Sequence, residues 1–182
     1  GCIEYPPSPS NNNRGVVAFW NVLTCPLTQW SPHSFTDTDV ITGTLETFHT
    51  AENFMMAAKA RCAGDDTTRD QILRETDPRE AKKLGRTSLR FGGPNGVPFS
   101  KWEDEREDVV RAGNFLKFGQ NPGAANYLRS TGNKILVEGS PYDNVWGCGI
   151  NFRDARIQNL QNWTGQNKLG KILMEVREFL PP

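Results

Sequence analysis

Glu52 and Lys59 are the two residues whose types and spacing point most directly to chemistry. They lie in the stretch Thr50-Ala51-Glu52-Asn53-Phe54-Met55-Met56-Ala57-Ala58-Lys59-Ala60, which reads as a helix capped by Thr50. At 3.6 residues per turn, positions 52, 55 or 56, and 59 share one face, and the carboxylate and amine stand roughly 10 Å apart along the axis. Both side chains can reach one ligand. A carboxylate can act as base or stabilise positive charge; an amine can pair with an anion or, once deprotonated, attack carbon. A second reading needs no ligand: an acidic first turn and a basic last turn both suit the helix dipole. On this segment alone both readings stand.

The elements that must hold these residues follow from pattern and punctuation. Residues 16–20 form an apolar run suited to a buried strand, and residues 41–48 partly alternate as a second strand would. A long loop with Pro26, Trp30 and Pro32 separates them. The helix that begins after Thr50 ends near Gly64, and a short helix follows around residues 69–75. Asp77-Pro78-Arg79-Glu80 specifies another helix start, with Gly85 as its stop. Ser100-Lys101-Trp102-Glu103 resembles a capping box opening a helix to about Phe118, with Trp102, Arg106 and Gly113 along one face. Asn121-Pro122 opens a helix that ends by Gly132. Residues 134–138 form a strand running into a Gly-rich loop, and Leu169, Ile172, Leu173, Val176, Phe179 and Leu180 recur at helical spacing before Pro181-Pro182. The expected class is α+β, predominantly helical, a single domain with a few short strands. Residues 1–14, rich in Pro, Ser and Asn, read as a flexible N-terminal segment, and residues 15–182 as the domain.

Composition removes several function classes. Lys+Arg and Asp+Glu both total 21, so no bulk positive field drives nucleic-acid binding and any phosphate site must be built locally. The four cysteines lack C-x-x-C spacing and the histidines are only His33 and His49, so no ordinary metal site is expected. The cysteines read as free thiols. With no apolar run of membrane-spanning length and no signal-peptide pattern at Gly1-Cys2-Ile3-Glu4-Tyr5, the expectation is a soluble intracellular protein.

Five further segments follow the opening one in order. They are Ala81-Lys82-Lys83-Leu84-Gly85-Arg86, the pair Trp102 and Arg106, and Lys117-Phe118-Gly119-Gln120-Asn121-Pro122. Next comes Leu136-Val137-Glu138 through Tyr142-Asp143-Asn144-Val145-Trp146-Gly147, and last Gly165-Gln166-Asn167-Lys168-Leu169-Gly170 on to Arg177. Together they resemble the NADAR family over about residues 16–182. The resemblance implies a small α+β hydrolase that needs neither metal nor cofactor and cleaves N-glycosidic bonds between a base-like nitrogen and a phosphorylated ribose. Two substrate classes are known for such proteins: ADP-ribosylated guanine in DNA or nucleotides, and phosphoribosylamino pyrimidine intermediates of riboflavin synthesis. The expected partners are therefore ADP-ribose, an ADP-ribosylated nucleobase or DNA carrying it, with no membrane. A noncatalytic ADP-ribose-binding module is the alternative from another class. The chain departs from the commoner bacterial pattern at Phe19-Trp20-Asn21, where that pattern ends in Ser-Asn-Phe, and the loop at residues 22–35 is enlarged. Trp20 and Trp30 in this region either stack a base, which suits the ADP-ribosyl substrate, or belong to the core.

Glycosidic cleavage requires a stabilised sugar cation, a protonated leaving nitrogen and a nucleophile at the anomeric carbon. The expected catalytic residues are Glu52 as the carboxylate, Lys59 as a phosphate contact or Schiff-base nucleophile, and Asp143 as a second acid/base. In a turn, Asp143 can equally be structural. The expected ligand contacts are Asn21, Arg86, Trp102, Arg106, Trp146, Gly147 and Asn167. Either arginine suits a bidentate anion contact or an internal ion pair, either tryptophan stacks a base or fills the core, and Asn167 looks like a cap whose neighbouring amides can hold phosphate. Lys117 and Asn121 match the family motif without a role that follows from the residues.

Overall fold

Val16, Val17, Ala18 and Phe19 are all fully buried, with none of the in-out alternation of a strand that has one wet face. Such a run belongs in the middle of a sheet covered on both sides. In the computed structural model, which describes residues 1–182, these residues lie in β2 (Arg14–Phe19). Antiparallel β1 (Ile3–Ser8) flanks β2 on one side and parallel β5 (Ile135–Glu138) on the other. The whole fold has five strands and six α-helices, the α+β, mainly helical class expected. It divides into two compact units: residues 1–31 with 122–182, and residues 32–121.

The first unit holds the β1-β2-β5 sheet with α5 (Pro122–Ser130) and α6 (Lys168–Phe179). Leu169, Ile172, Leu173 and Val176 of α6 are buried, and the helix packs on β5. The expectation of a loose segment over residues 1–14 is corrected here. Ile3, Glu4 and Tyr5 pair with Ala18, Val17 and Val16, and the register shifts before Ser8. The Pro6-Pro7 pair sits in this edge strand at the irregularity, where proline is tolerated because no partner needs its missing N–H. Tyr5 Oη donates to the Phe152 carbonyl at 2.8 Å. Cys2 and Cys25 are joined by a disulfide with Cα atoms 5.3 Å apart, so two of the four expected thiols are bonded; Cys62 and Cys148 are free and buried.

The second unit holds the hairpin of β3 (Phe35–Thr38) and β4 (Leu45–Phe48) and helices α1 (Ala51–Cys62), α2 (Asp66–Arg74), α3 (Pro78–Thr87) and α4 (Phe99–Gln120). The strand expected over residues 41–48 survives only as β4. Asp39 accounts for the difference: its carboxylate accepts from Ile41 N and Thr42 Oγ1, and Gly43 takes a left-handed φ of 73°, making a turn between β3 and β4. Gly85 does not stop α3, which runs to Thr87. A Cβ there would strike Met56, so the glycine is a place where α3 closes on α1. The box expected at Ser100 does not form, because the cap position falls two residues earlier, at Pro98, with no side-chain cap.

Helix α1 packs against α2, α3 and α4. At Gly113 of α4 an added Cβ would lie 2.7 Å from Phe54 Cδ1, a rigid ring atom. Gly113→Ala is therefore expected to destabilise the protein by about 1–3 kcal/mol, despite the better helix propensity of alanine, and a denaturant midpoint checks it.

The Lys117–Pro122 motif finds its role at the end of α4. Gln120 presents its amide to the backbone of Thr36, accepting from N at 2.9 Å and donating to O at 2.8 Å. Asn121 Nδ2 donates to Ser34 O at 2.9 Å and to Lys117 O at 2.8 Å. The motif staples the start of β3 to α4. Lys117 itself is fully buried, with Nζ 4.9 Å from the Phe118 ring, and burial pushes its amine down to about 7. Between that value and the ordinary lysine range the unfolded chain holds a proton that the folded chain does not, so this group makes stability rise with pH. The rise is clearest below the range of Cys148, whose thiol burial raises to about 11 and which acts in the opposite sense. From pH 7 to 9 Lys117 is expected to add on the order of 1–3 kcal/mol, and Lys117→Met to flatten that rise in urea melts.

Candidate active site

Glu52 stands in the first turn of α1 and is only 7% exposed. Thr50 caps the helix by accepting from Asn53 N at 3.1 Å. Asn53, fully buried, donates through Nδ2 to Ile72 O at 3.0 Å and to Glu75 O at 2.7 Å, tying the start of α1 to the end of α2. The backbone that carries Glu52 is thus fixed by a neighbouring residue that sequence reading passed over; an Asn at the third helical position, poor for propensity, was the available signal.

Lys59 lies two turns on, with Nζ 5.8 Å from the Phe99 ring. Its amine is held below the ordinary lysine range, first by burial and then by Arg86; Glu52 opposes the shift and Arg106 adds to it. The structure therefore gathers four predicted residues from three helices: Glu52 and Lys59 from α1, Arg86 from α3 and Arg106 from α4. One carboxylate among three cationic groups makes a local field suited to an anionic ligand. Trp102, on the same helix as Arg106, is 2% exposed and belongs to the core, so the packing reading holds for it.

The other predicted residues form a second group, in the unit of β2 and β5. These strands are parallel, with Phe19 opposite Glu138, and their carboxyl ends lead into Trp20-Asn21 and into the loop at residues 139–149. Asn21 takes a left-handed φ of 43°. Asp143 Oδ1 accepts from Val145 N and Trp146 N, both at 2.9 Å, which shapes the loop and leaves Oδ2 with no protein donor. Trp146 is partly buried.

Gly147 and Asn167 are scaffold. A Cβ on Gly147 would lie 2.9 Å from Asp143 O and 3.1 Å from Glu138 O. Asn167 is 1% exposed, and both ends of its amide are spent on β5: Nδ2 donates to Leu136 O and Oδ1 accepts from Glu138 N, each at 3.0 Å. The amides of residues 167, 168 and 169 donate to the carbonyls of Gly147, Val145 and Trp146. The helix start expected to hold phosphate is filled by the protein's own loop. No group of three or more His, Cys, Asp or Glu side chains gathers as a metal site would, and no helix is long and apolar enough to cross a membrane.

Comparison with known proteins identifies the family and the fold. The NADAR domain model matches residues 18–181. An N-glycosidase, R617, of Acanthamoeba polyphaga mimivirus is 36% identical over 170 residues, 93% of this chain and 91% of that protein. The chloroplastic riboflavin biosynthesis protein PYRR of Zea mays is 30% identical over 177 residues, but the match spans only 26% of its length. The NMR structure of the E. coli protein YbiA superposes with a TM-score of 0.65 over 91% of this chain and 84% of its own, at 24% identity, and shows the same fold. With its motifs in order, its fold shared and nearly its whole length matched, this chain belongs to the NADAR domain family.

Proposed function

We infer that this protein is an N-glycosidase that hydrolyses the bond between a base nitrogen and the anomeric carbon of a phosphorylated ribose, with ADP-ribosylated guanine as its substrate. The observation that carries the reading is the group on α1, α3 and α4: a buried carboxylate, Glu52, and an amine, Lys59, whose pKa is lowered by burial, Arg86 and Arg106.

In this reading Arg86 and Arg106 hold phosphate, since guanidinium forks fit its oxygens. Glu52 stabilises the positive charge that develops on the sugar and assists proton transfer. With two guanidiniums already present for the anion, Lys59 is better suited to attack. Its lone pair forms a bond to the anomeric carbon, the bond to the base breaks, and that electron pair and a proton go to the base nitrogen. The ribosylamine so formed then opens: the nitrogen's electron pair makes the C=N bond as the bond from the anomeric carbon to the ring oxygen breaks, and the amine proton goes to that oxygen. Water hydrolyses the resulting Schiff base, releasing the sugar and restoring the amine. Asp143, in the unit of β2 and β5, has Oδ2 uncommitted and is an acid/base candidate in its own right.

The match to the maize riboflavin biosynthesis protein favours a second substrate, a phosphoribosylamino pyrimidine. Chromatography after incubation with ADP-ribosylated guanine DNA and, separately, with that pyrimidine decides between them. Release of ADP-ribose supports the first reading, and cleavage of the pyrimidine alone replaces it. Binding of ADP-ribose with no cleavage of either identifies a noncatalytic module.

A further inference from the structure

Tyr142 is 86% exposed, although it carries a large ring that burial ordinarily stabilises. It is nonetheless braced. Its ring centroid lies 5.9 Å from that of Trp20 at an interplanar angle of 55°, and its backbone N donates to Ser140 Oγ at 3.2 Å. Trp20 is anchored in turn, partly buried against the core residues that include Val16, Ala18 and Val137. One aromatic ring is thus rooted in the core and supports a second that stands in solvent. The pair sits where β2 and β5 end side by side, and in parallel sheets the carboxyl ends of strands are where ligands bind. The chain neighbours of the two rings are polar. Asn21 makes no hydrogen bond with its side-chain amide, and Asp143 has Oδ2 uncommitted.

We propose that Tyr142, braced by Trp20, is a stacking platform for a nucleobase, with Asn21 and Asp143 available to its polar edge. A flat ring open on one face binds any base through its π-face, while an amide and a carboxylate offer both donors and an acceptor to the edge. The ligand class is a base-bearing nucleotide, either free or as one residue of a single strand. The inference rests on the reading of the substrate as a nucleotide, and its test is independent of turnover.

The experiment is calorimetric titration of the full chain with AMP and with ribose 5-phosphate, for wild type, Tyr142→Ala and Tyr142→Phe. Stacking on one aromatic ring corresponds to about 5- to 150-fold in affinity. Tyr142→Ala is expected to weaken AMP binding by that factor and to leave ribose 5-phosphate unchanged, with Tyr142→Phe within about twofold of wild type, since the ring and not the hydroxyl does the stacking. An exposed side chain makes these variants safe for the fold. Equal AMP affinity in wild type and Tyr142→Ala overturns the proposal, as does a wild type that binds AMP no tighter than ribose 5-phosphate. A single-stranded oligonucleotide titrated in parallel separates the two sources of the base. Cleavage assays on wild type report separately on the glycosidase reading, so either idea can fail alone.

Discussion

Glu52→Gln is expected to lower kcat by about 10²- to 10⁴-fold, the range for loss of one positioned acid/base or charge-stabilising group, with KM changed by only a few fold. The amide keeps the size and hydrogen-bonding capacity of the acid but neither its charge nor its basicity. A carboxylate that is 7% exposed at a helix start fixed by Thr50 and Asn53 is well placed for such a role. The same substitution moves Lys59. Because Glu52 raises the Lys59 pKa against burial and the two guanidiniums, its removal lowers that pKa further. The pH-dependence of any residual activity is therefore expected to shift to lower pH. If Glu52 only completes the helix dipole, Glu52→Gln instead costs a few tenths of a kcal/mol of stability and leaves kcat intact.

Lys59 gives the second large effect. Lys59→Arg preserves the positive charge and removes the nucleophilic amine, so it separates attack from anion pairing more cleanly than deletion does. Both Lys59→Arg and Lys59→Met are expected to lose at least about 10²-fold in kcat. Borohydride added during turnover is expected to trap a covalent sugar adduct on wild type and on neither variant. The wild-type rate should climb with pH as Lys59 loses its proton, below the ordinary lysine range because burial, Arg86 and Arg106 favour the neutral amine. An active Lys59→Arg enzyme with no trapped adduct would return Lys59 to a phosphate contact.

The framework of the candidate group was legible in the sequence. Thr50 announces the start of α1, the helical repeat puts Glu52 and Lys59 on one face, and the motifs supply Arg86 and Arg106 at positions where α3 and α4 pack against α1. The α+β class and the final helix followed from periodicity in the same way. What could not be read depends on partners distant in the chain. Asn167 looks like a helix cap, but its amide is consumed by Leu136 and Glu138 about thirty residues earlier. Gly85 looks like a stop signal, yet its function is to admit Met56 of another helix. Pro6 and Pro7 suggest a loose tail, because proline is compatible with either disorder or an edge strand, and only the pairing with β2 decides. The Lys117–Pro122 motif had no derivable role until β3 was located beside it, and Phe99 enters the site only through its distance to Lys59.

The most direct test of the central claim is mass spectrometry of both products after wild-type protein is incubated with ADP-ribosylated guanine. The account predicts two species in equal amounts: guanine or its nucleotide with every nitrogen retained, and free ADP-ribose one water heavier than the transferred group. Substrate recovered intact, with ligand bound but no base released at any pH between 6 and 10, would contradict it.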